Sequence, residues 1–179
     1  MTIIDAIPVS ETIELRAIAR PDIGRFWELI ERDRVHLERW LGWAQAARFE
    51  STRVFLEDQI AQHAEGRAAH YGIWWNGRLA GAIGLRNLDA PAETSVGYYL
   101  ATFACGNGIM TAALRALTRT AIERLGVYRI ELVAALGNLA SRRVAERAGF
   151  VFEGIARARV IVHGKLHDAA VYARIATDP

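Results

Sequence analysis

The sequence has only one cysteine, Cys105, and only one lysine, Lys165. One cysteine excludes an internal disulfide and a cysteine-rich zinc site. One lysine restricts Schiff-base chemistry to Lys165, and no lysine-containing phosphate loop is present. The other basic residues are arginines scattered along the chain, without a dense run that interleaves aromatic residues. We therefore expect no nucleic-acid partner.

Long hydrophobic runs are also missing, because Arg, Asp or Glu interrupts every apolar stretch before it reaches roughly 18 residues. The first eleven residues include Asp5 and Glu11 and no basic residue, unlike a secretory signal. The five histidines lack the spacing of a metal site, and we expect no metal. A chain of 179 residues, 52% of them hydrophobic, is typical of one domain. We expect residues 1–179 to form a single cytoplasmic domain without a membrane partner.

Hydrophobic periodicity in the first half predicts helices followed by an antiparallel meander. A short strand is expected over residues 13–17, and helices over 21–31, 34–41 and 51–65, the last capped by Ser51. Strands are expected over residues 70–75, 79–86 and 94–100. Asn76-Gly77 predicts a two-residue hairpin between the first two of these strands, because both residue types favour positive φ. Asp89-Ala90-Pro91 interrupts the chain before the third.

The second half predicts a crossover and a final hairpin. We expect a long helix over residues 109–125 that ends at Gly126, a strand over 129–135, a helix over 139–148, and a hairpin of 150–162 with 168–175. The fold class is therefore α/β, with a mixed central sheet of about seven strands flanked by helices. Its first half is antiparallel, and a strand–helix–strand crossover follows.

Gly106-Asn107-Gly108 lies between a predicted strand and the long helix. The first amides of a helix lack intrahelical partners and lie at the positive end of its dipole. Glycine lets a phosphate approach those amides, so the loop is a candidate anion site or a simple turn. Thr111 replaces the third glycine of a dinucleotide fingerprint, and Gly-Lys-Ser/Thr is absent.

A second motif, Asn138 followed by Ser141, comes directly after the next strand. Asn138 can donate and accept hydrogen bonds to an amide, and Ser141 lies one helical turn later. The alternative for Asn138 is an ordinary N-cap. The full order of elements and motifs is more specific than either motif alone: strand, Gly-x-Gly loop, helix, strand, Asn-x-x-Ser and a last helix ending in Ala148-Gly149-Phe150.

This order resembles the GNAT superfamily of acetyltransferases, and most closely its RimJ/RimL-type branch, which includes ribosomal-protein N-terminal acetyltransferases. The likeness covers nearly the whole chain, and its clearest segments are residues 9–16, 37–43, 96–100, 106–111, 140–154 and 164–172. The resemblance implies a GNAT fold, acetyl-coenzyme A as cosubstrate and a primary amine as acceptor, most specifically a protein N-terminal α-amine. It also implies a homodimer.

The resemblance further implies roles for individual residues. Leu100 and Ala101 are expected to pair their backbone with the pantetheine arm. The pyrophosphate is expected at the amides of the loop and helix start, Gly106, Asn107, Gly108 and Ile109. Asn138 is expected to bind the pantetheine end, and Ser141 is the candidate acid for the departing thiolate.

The sequence departs from the branch where a Glu usually serves as general base, because that position is Ser95. Glu93, on the same strand face, is a candidate base through a water, or a solvent-facing charge. A protein α-amine has a pKa of roughly 7.7 to 8.0, so a sizeable fraction is neutral without any base. The missing carboxylate therefore favours an α-amine over a lysine side chain.

The coenzyme loop departs as well, with Cys105 where Gln is common and Asn107 where a basic residue is common. We interpret Cys105 as a packed residue, because no histidine is near it in sequence. Trp40 and Trp43 are candidates for an acceptor cleft or for the core. Two other functions stay open: acetylation of a small amine, such as an aminoacyl nucleotide, polyamine or antibiotic, and coenzyme A binding with impaired catalysis.

Overall fold

The computed structural model describes residues 3–89 and 93–178, which are built around one mixed sheet of eight strands. The strands are β1 (Ala6–Pro8), β2 (Ile13–Ala17), β3 (Ala69–Trp75), β4 (Arg78–Arg86), β5 (Thr94–Leu100), β6 (Arg129–Ala135), β7 (Val151–Val162) and β8 (Lys165–Ile175). Their spatial order is β1-β2-β3-β4-β5-β6-β8-β7. Only the β5–β6 pair is parallel among the described residues. The predicted mixed sheet is confirmed, with one strand more than the seven expected.

Helices cover both faces of this sheet. They are α1 (Ile23–Arg32), α2 (Arg34–Leu37), α3 (Gly42–Ala46), α4 (Phe49–Ala64), α5 (Ile109–Leu125) and α6 (Leu139–Arg147). Helices α1 to α4 pack on one face, where Phe26, Ile30 and Leu56 meet Trp74 of β3. Helices α5 and α6 pack on the other, where Leu114 and Leu117 join the larger core. Successive side chains of β3 to β5 therefore alternate between two apolar layers.

Several predicted elements are confirmed with their bounds, namely the strands over residues 13–17, 94–100 and 129–135 and the helix over 109–125. The hairpin at Asn76-Gly77 is also confirmed, with φ of 49° and 74° at its two residues. Of the interruption predicted at residues 89–91, Ala90 and Pro91 lie outside the described residues. Met1 and Thr2 of the N-terminal segment lie outside them too.

Other boundaries differ for local reasons. The helix expected over residues 34–41 ends at Leu37, and α3 follows as a separate short helix. Helix α4 begins at Phe49, so the prediction that Ser51 is its N-cap was wrong. Ser51 lies in the first turn instead, where its Oγ accepts a hydrogen bond of 3.0 Å from the Arg48 amide. It thereby supplies a partner for an amide at the helix start.

The parallel pair β5–β6 opens toward its C-terminal end. The two strands pair only over Thr94–Val96 and Ile130–Leu132. Beyond that point β5 continues beside β4, and β6 continues beside β8. Because the strands are parallel, their separated C-terminal halves lie at the same edge of the sheet, and α5 and α6 follow them there. This opening is the expected place for a ligand in such a sheet.

Among the described residues, no helix combines the length and the apolar character needed to span a membrane.

Candidate active site

The opening between β5 and β6 presents backbone groups of β5. The Ala101 amide donates to the Ala80 carbonyl at 2.7 Å, and β5 pairs with β4 throughout. In an antiparallel ladder, alternate residues turn their N–H and C=O to opposite sides. The backbone groups of Tyr98 and Leu100 therefore face β6, which no longer pairs with them. This edge can bind an extended ligand by hydrogen bonds.

The backbone groups of Ala101 are already hydrogen-bonded within the protein, unlike those of Tyr98 and Leu100 that face the opening. This corrects the prediction for Ala101. Its amide is used by Ala80, and its carbonyl accepts hydrogen bonds from the Ala104 amide at 3.0 Å and from the Cys105 thiol at 3.4 Å. The expected pairing of the Ala101 backbone with a pantetheine arm is therefore wrong, whereas Leu100 keeps the orientation that such a contact needs.

The loop before α5 has the backbone conformation that the predicted anion cradle needs. Gly106 and Gly108 have φ of 82° and 73°, a left-handed conformation that favours glycine. A Cβ atom at either position would meet nothing within 4 Å, so both backbones are open to a ligand. Among the described residues, the amides of residues 106–111 donate no hydrogen bond. These amides lie at the positive end of α5 and fit a pyrophosphate.

Two side chains hold this cradle in place. The Asn107 side-chain amide donates to the Cys105 carbonyl at 3.0 Å and closes the loop on itself. The Ile109 side chain is fully buried in the larger core and anchors the start of α5. Asn107 and Ile109 therefore shape the cradle with their side chains.

At the start of α6 the structure brings Asn138, Ser141 and Tyr98 together. The Asn138 Oδ1 accepts a hydrogen bond of 3.2 Å from the Ser141 amide and so caps the helix. The Ser141 Oγ lies 2.9 Å from the Tyr98 hydroxyl. Because Tyr98 belongs to β5 and Ser141 to α6, this contact crosses the opening between β5 and β6.

Tyr98 was not found by sequence reasoning, since a tyrosine in a buried strand usually indicates packing alone. Burial raises the pKa of Tyr98 to about 12, although its hydrogen bond with Ser141 opposes the rise. The phenol therefore keeps its proton at neutral pH and can donate it to Ser141 Oγ. The only signal in the sequence is the position of Tyr98 on the strand that leads into the Gly-x-Gly loop.

The two residues considered as a general base lie elsewhere. The exposed Glu93 carboxylate pairs with Arg129 at 3.1 Å, and Arg129 also pairs with Glu153. Ser95 lies opposite Arg86 at the N-terminal end of β5. Three residues of strand separate Ser95 from Tyr98, about 10 Å. The structure thus does not bring Glu93 or Ser95 to Ser141.

On the face covered by α1 to α4, an apolar cavity of about 560 Å³ lies against β3, β4 and β5. Its wall includes Trp43, which packs edge-on against Tyr99 with the ring centroids 5.8 Å apart. Trp40 lies outside this wall, and its ring is 3.3 Å from where a Cβ of Gly137 would be. Trp43 therefore lines a cavity, whereas Trp40 does not. No Asp or Glu of the described residues lines the cavity.

The floor of the cavity contains two glycines that lie side by side on β4 and β5, Gly84 and Gly97. The His70 ring packs over Gly84, where a Cβ would come within 2.4 Å of Nδ1. The Arg86 guanidinium lies against Gly97, with Nη2 3.4 Å from the position of a Cβ. Glycine at position 84 therefore makes room for the His70 ring, whereas a Cβ at position 97 would make an ordinary contact with Arg86.

His70 is a neutral polar group in this apolar surrounding. Burial, followed by the positive charge of Arg86, lowers its pKa to about 4. Its Nε2 is buried and has no hydrogen-bond partner among the described residues. Sequence reasoning missed both His70 and Arg86, because only the strand pairing places His70 beside Gly84 and Arg86 beside Gly97.

Cys105 is exposed, so its interpretation as a packed residue was wrong, and it has a histidine nearby that the sequence did not indicate. Its Sγ lies 3.8 Å from His36 Nε2, across 69 residues of chain. Burial, followed by the negative charge of Asp33, raises the pKa of the thiol. Cys105 is therefore a protonated thiol rather than an activated nucleophile. Within the described ranges, no group of three or more His, Cys, Asp or Glu side chains is arranged to hold a metal ion.

Comparison with known proteins identifies a domain and relatives. The family model described as the acetyltransferase (GNAT) domain matches residues 12–151. The protein YdaF of Bacillus subtilis (strain 168) is 36% identical over 167 residues, which are 92% of this chain and 91% of YdaF. The ribosomal-protein-serine acetyltransferase of Escherichia coli (strain K12) is 29% identical over 173 residues, 96% of this chain and 97% of that protein.

A solved structure shares the whole architecture. RimL, a ribosomal L7/L12 alpha-N-protein acetyltransferase in complex with coenzyme A, superposes with a TM-score of 0.90 at 31% identity, covering 95% of this chain and 97% of RimL. The similarity thus extends over both helical layers and over the opening between β5 and β6.

Proposed function

The chain belongs to the GNAT acetyltransferase family, and from that premise we propose that it acetylates the α-amine at the N-terminus of a protein, with acetyl-coenzyme A as the donor. The observation that carries this proposal is the cavity beside β5, which is apolar and has no carboxylate among its described lining residues. Such a cavity disfavours a charged ammonium group and favours an amine of low pKa. The Escherichia coli relative, named for acetylation of a ribosomal-protein serine, supports a ribosomal protein as the acceptor.

Coenzyme binding uses the edge of β5 and the start of α5. We assign the pyrophosphate to the amides of Gly106, Asn107, Gly108 and Ile109, and the pantetheine arm to the backbone of Leu100. The Asn138 Oδ1 is occupied by the helix cap, so its side-chain NH₂ remains as the donor toward the end of the arm. The thioester then lies in the opening, between the Tyr98 side chain and the cavity.

The reaction is direct attack of the neutral amine on the thioester carbonyl. Its oxygen gains negative charge, and the β5 amide of Tyr98, which faces the opening, is the donor we assign to it. The departing thiolate takes a proton from Ser141, which is the acid in this scheme. The proton that the attacking nitrogen releases as the intermediate collapses then restores the Ser141 hydroxyl through solvent. We assign Tyr98 as the donor to Ser141 Oγ, 2.9 Å away, and this hydrogen bond supports the transfer. The phenol also lies 3.3 Å from the Ser141 carbonyl oxygen, which is a second acceptor for its proton. Aligning donor and acceptor supplies much of the rate.

No side chain in this scheme acts as the general base. Glu93 is engaged by Arg129, and Ser95 is a poor base at neutral pH. The amine instead loses its proton to solvent before it attacks. An α-amine with a pKa of roughly 7.7 to 8.0 loses at most about tenfold in rate near pH 7, which is small beside the roughly 10²–10⁴ that a good base supplies.

The acceptor is tested by measuring free-thiol release from acetyl-coenzyme A with a panel of N-terminal peptides and small amines. We expect turnover with peptides that carry a free α-amine and none with the same peptides blocked at that amine. Turnover confined to polyamines, antibiotics or aminoacyl nucleotides would reject the proposed acceptor. Binding of coenzyme A without turnover on any amine would indicate an impaired enzyme instead.

We further propose that the chain acts as a homodimer in the cytoplasm and that residues 1–179 form one domain. Strand β7 lies at the edge of the sheet and exposes Val151, Phe152 and Ile155. A long edge strand with exposed apolar side chains is normally covered by another surface. Light scattering at micromolar concentration tests the dimer, since a mass near 19.8 kDa would contradict it.

A further inference from the structure

Among the described residues that line the proposed acceptor cavity, Arg86 is the one with a permanent charge. No carboxylate of the described residues lies within 4.0 Å of it. Arg86 is exposed, so water solvates its charge. Its guanidinium lies against Gly97, the residue directly before Tyr98. The charge is therefore close to the segment of β5 that faces the thioester in the proposed reaction.

The neighbouring polar groups do not neutralise this charge. His70 is uncharged, because burial and Arg86 itself lower its pKa to about 4. Asp58 of α4 is the carboxylate that opposes this lowering, but it does not line the cavity, and its Oδ2 accepts a hydrogen bond of 2.6 Å from Gln62. The other polar lining residues include Ser51, Thr52 and Gln59, which are neutral. The cavity thus has a net positive charge.

An acceptor peptide that enters the cavity displaces water from Arg86. Covering an unpaired charge is costly, whereas covering it with a carboxylate forms a charge-assisted hydrogen bond. A guanidinium can bind both oxygens of one carboxylate. The acceptor that fits best therefore supplies a carboxylate and keeps its amine uncharged.

We propose that Arg86 selects acceptors with a carboxylate side chain within the first three residues of their N-terminus. This inference rests on the proposed function and names the chemical class of its substrate. An extended peptide advances about 3.3 Å per residue, so three residues reach about 10 Å from the attacking amine. Gly97 lies next to Tyr98, so the guanidinium against it is within that reach.

The experiment compares short peptides that are identical except for Asp, Asn or Lys at one of the first three residues. With the wild-type enzyme, kcat/KM for the Asp peptide is expected to exceed that for Asn by about 10-fold at one position or more, with Lys lowest. Arg86→Glu is expected to invert the order, so that Lys exceeds Asp. Such an inversion is a gain that an unfolded variant cannot show.

Two further variants make the outcome decisive. Arg119→Glu makes the same charge change at an exposed residue of α5 and is expected to keep the wild-type order. Arg86→Gln removes the charge without reversing it and is expected to bring the Asp and Asn peptides within about twofold of each other. If wild-type enzyme acetylates all peptides within twofold at every position, Arg86 selects no carboxylate, although the proposed function stands. If no peptide reacts while small amines do, the proposed function itself fails.

Discussion

At the scale of single residues, the chemistry depends on what surrounds the Ser141 hydroxyl. A serine alone is a weak acid, but Ser141 Oγ lies 2.9 Å from a phenol that remains protonated at neutral pH. If Tyr98 donates to Oγ, the serine hydrogen is left for the thiolate. The Asn138 cap fixes the first turn of α6 and so fixes where Ser141 lies. Asn138 therefore fixes the position of the hydroxyl, and Tyr98 sets its hydrogen-bonding.

The contributions of Ser141 and Tyr98 to catalysis can be measured separately by kinetics. Ser141→Ala is expected to lower kcat by about 10- to 100-fold, because it removes the acid, while coenzyme affinity changes little. Tyr98→Phe is expected to lower kcat by about fivefold, the value of one hydrogen bond. If Tyr98 acts through Ser141, it has no effect in the Ser141→Ala background. Turnover is measured under conditions where chemistry is rate-limiting.

Tyr128→Phe provides the control, because Tyr128 is an exposed tyrosine outside the site. Independent, multiplicative effects of Tyr98→Phe and Ser141→Ala would show that the tyrosine does not act through the serine.

The sequence identified residues whose roles depend on other residues close to them in the chain. It missed residues whose roles depend on strand register or on contacts between distant segments. Asn138 and Ser141 are one helical turn apart, so their spacing in the sequence predicted that they lie close together. Tyr98 meets Ser141 across 43 residues, which no local pattern indicates. Ala101 was assigned a contact that its bond to Ala80 prevents, because the hydrogen-bonding side of a strand residue is set by the register.

At the scale of elements, helix α5 is defined by a left-handed glycine at each end. Gly108 precedes it with φ of 73°, and Gly126 ends it with φ of 65°. A Cβ atom would have open space at both positions. The two glycines therefore have similar left-handed backbone conformations and similar open space, yet only Gly108 belongs to the proposed anion cradle.

This symmetry gives a matched test of coenzyme binding. Gly108→Glu is expected to abolish binding of acetyl-coenzyme A, because it places bulk and negative charge beside the pyrophosphate. Gly126→Glu introduces the same side chain in the same backbone region, with a strain of about 1–2 kcal/mol in either variant. Calorimetry is expected to find near wild-type affinity for Gly126→Glu. Equal affinities of the two variants for acetyl-coenzyme A would show that the pyrophosphate does not bind at this loop.

Element boundaries were predictable where glycine or a hairpin turn marks them, and less so elsewhere. The bounds of β5, α5 and β6 follow from the Gly-rich loop and Gly126. Strand β1 and helix α3 span only three and five residues, too few for a periodic pattern. Ser51 was predicted as a cap because serine is a good N-cap residue, but the helix begins two residues earlier, at Phe49.

At the scale of the whole molecule, the acceptor cavity is assembled from distant parts of the chain. Helix α3 contributes Trp43, β3 contributes His70, and β4 and β5 contribute Arg86 and Tyr99. The sequence predicted the strands and their alternation, yet the position of the cavity depends on how α1 to α4 cover the sheet. One consequence is that burial of His70 links the stability of the whole fold to pH.

The sign of this linkage follows from the pKa of His70. In the fold it is lowered to about 4, chiefly by burial, whereas the ordinary value is 6.5. Between these values the unfolded chain binds a proton that the folded protein does not. The contribution of neutral His70 to the free energy of unfolding is therefore fully present above pH 6.5. It falls as the pH drops toward 4, and below pH 4 this group causes no further loss. His63 contributes in the same direction, since burial lowers its pKa too.

We expect wild-type protein to lose about 2–3 kcal/mol of unfolding free energy through His70 between pH 7 and pH 4.5. His70→Gln removes the titrating group, so its loss over the same interval is expected to be smaller by that amount. His167→Gln changes an exposed histidine of β8 and is expected to keep the wild-type loss. Urea unfolding of the three proteins at both pH values measures the difference. If His70→Gln and wild type lose the same stability on acidification, the imidazole is not held neutral by the fold, and the cavity is more hydrated than its apolar lining implies.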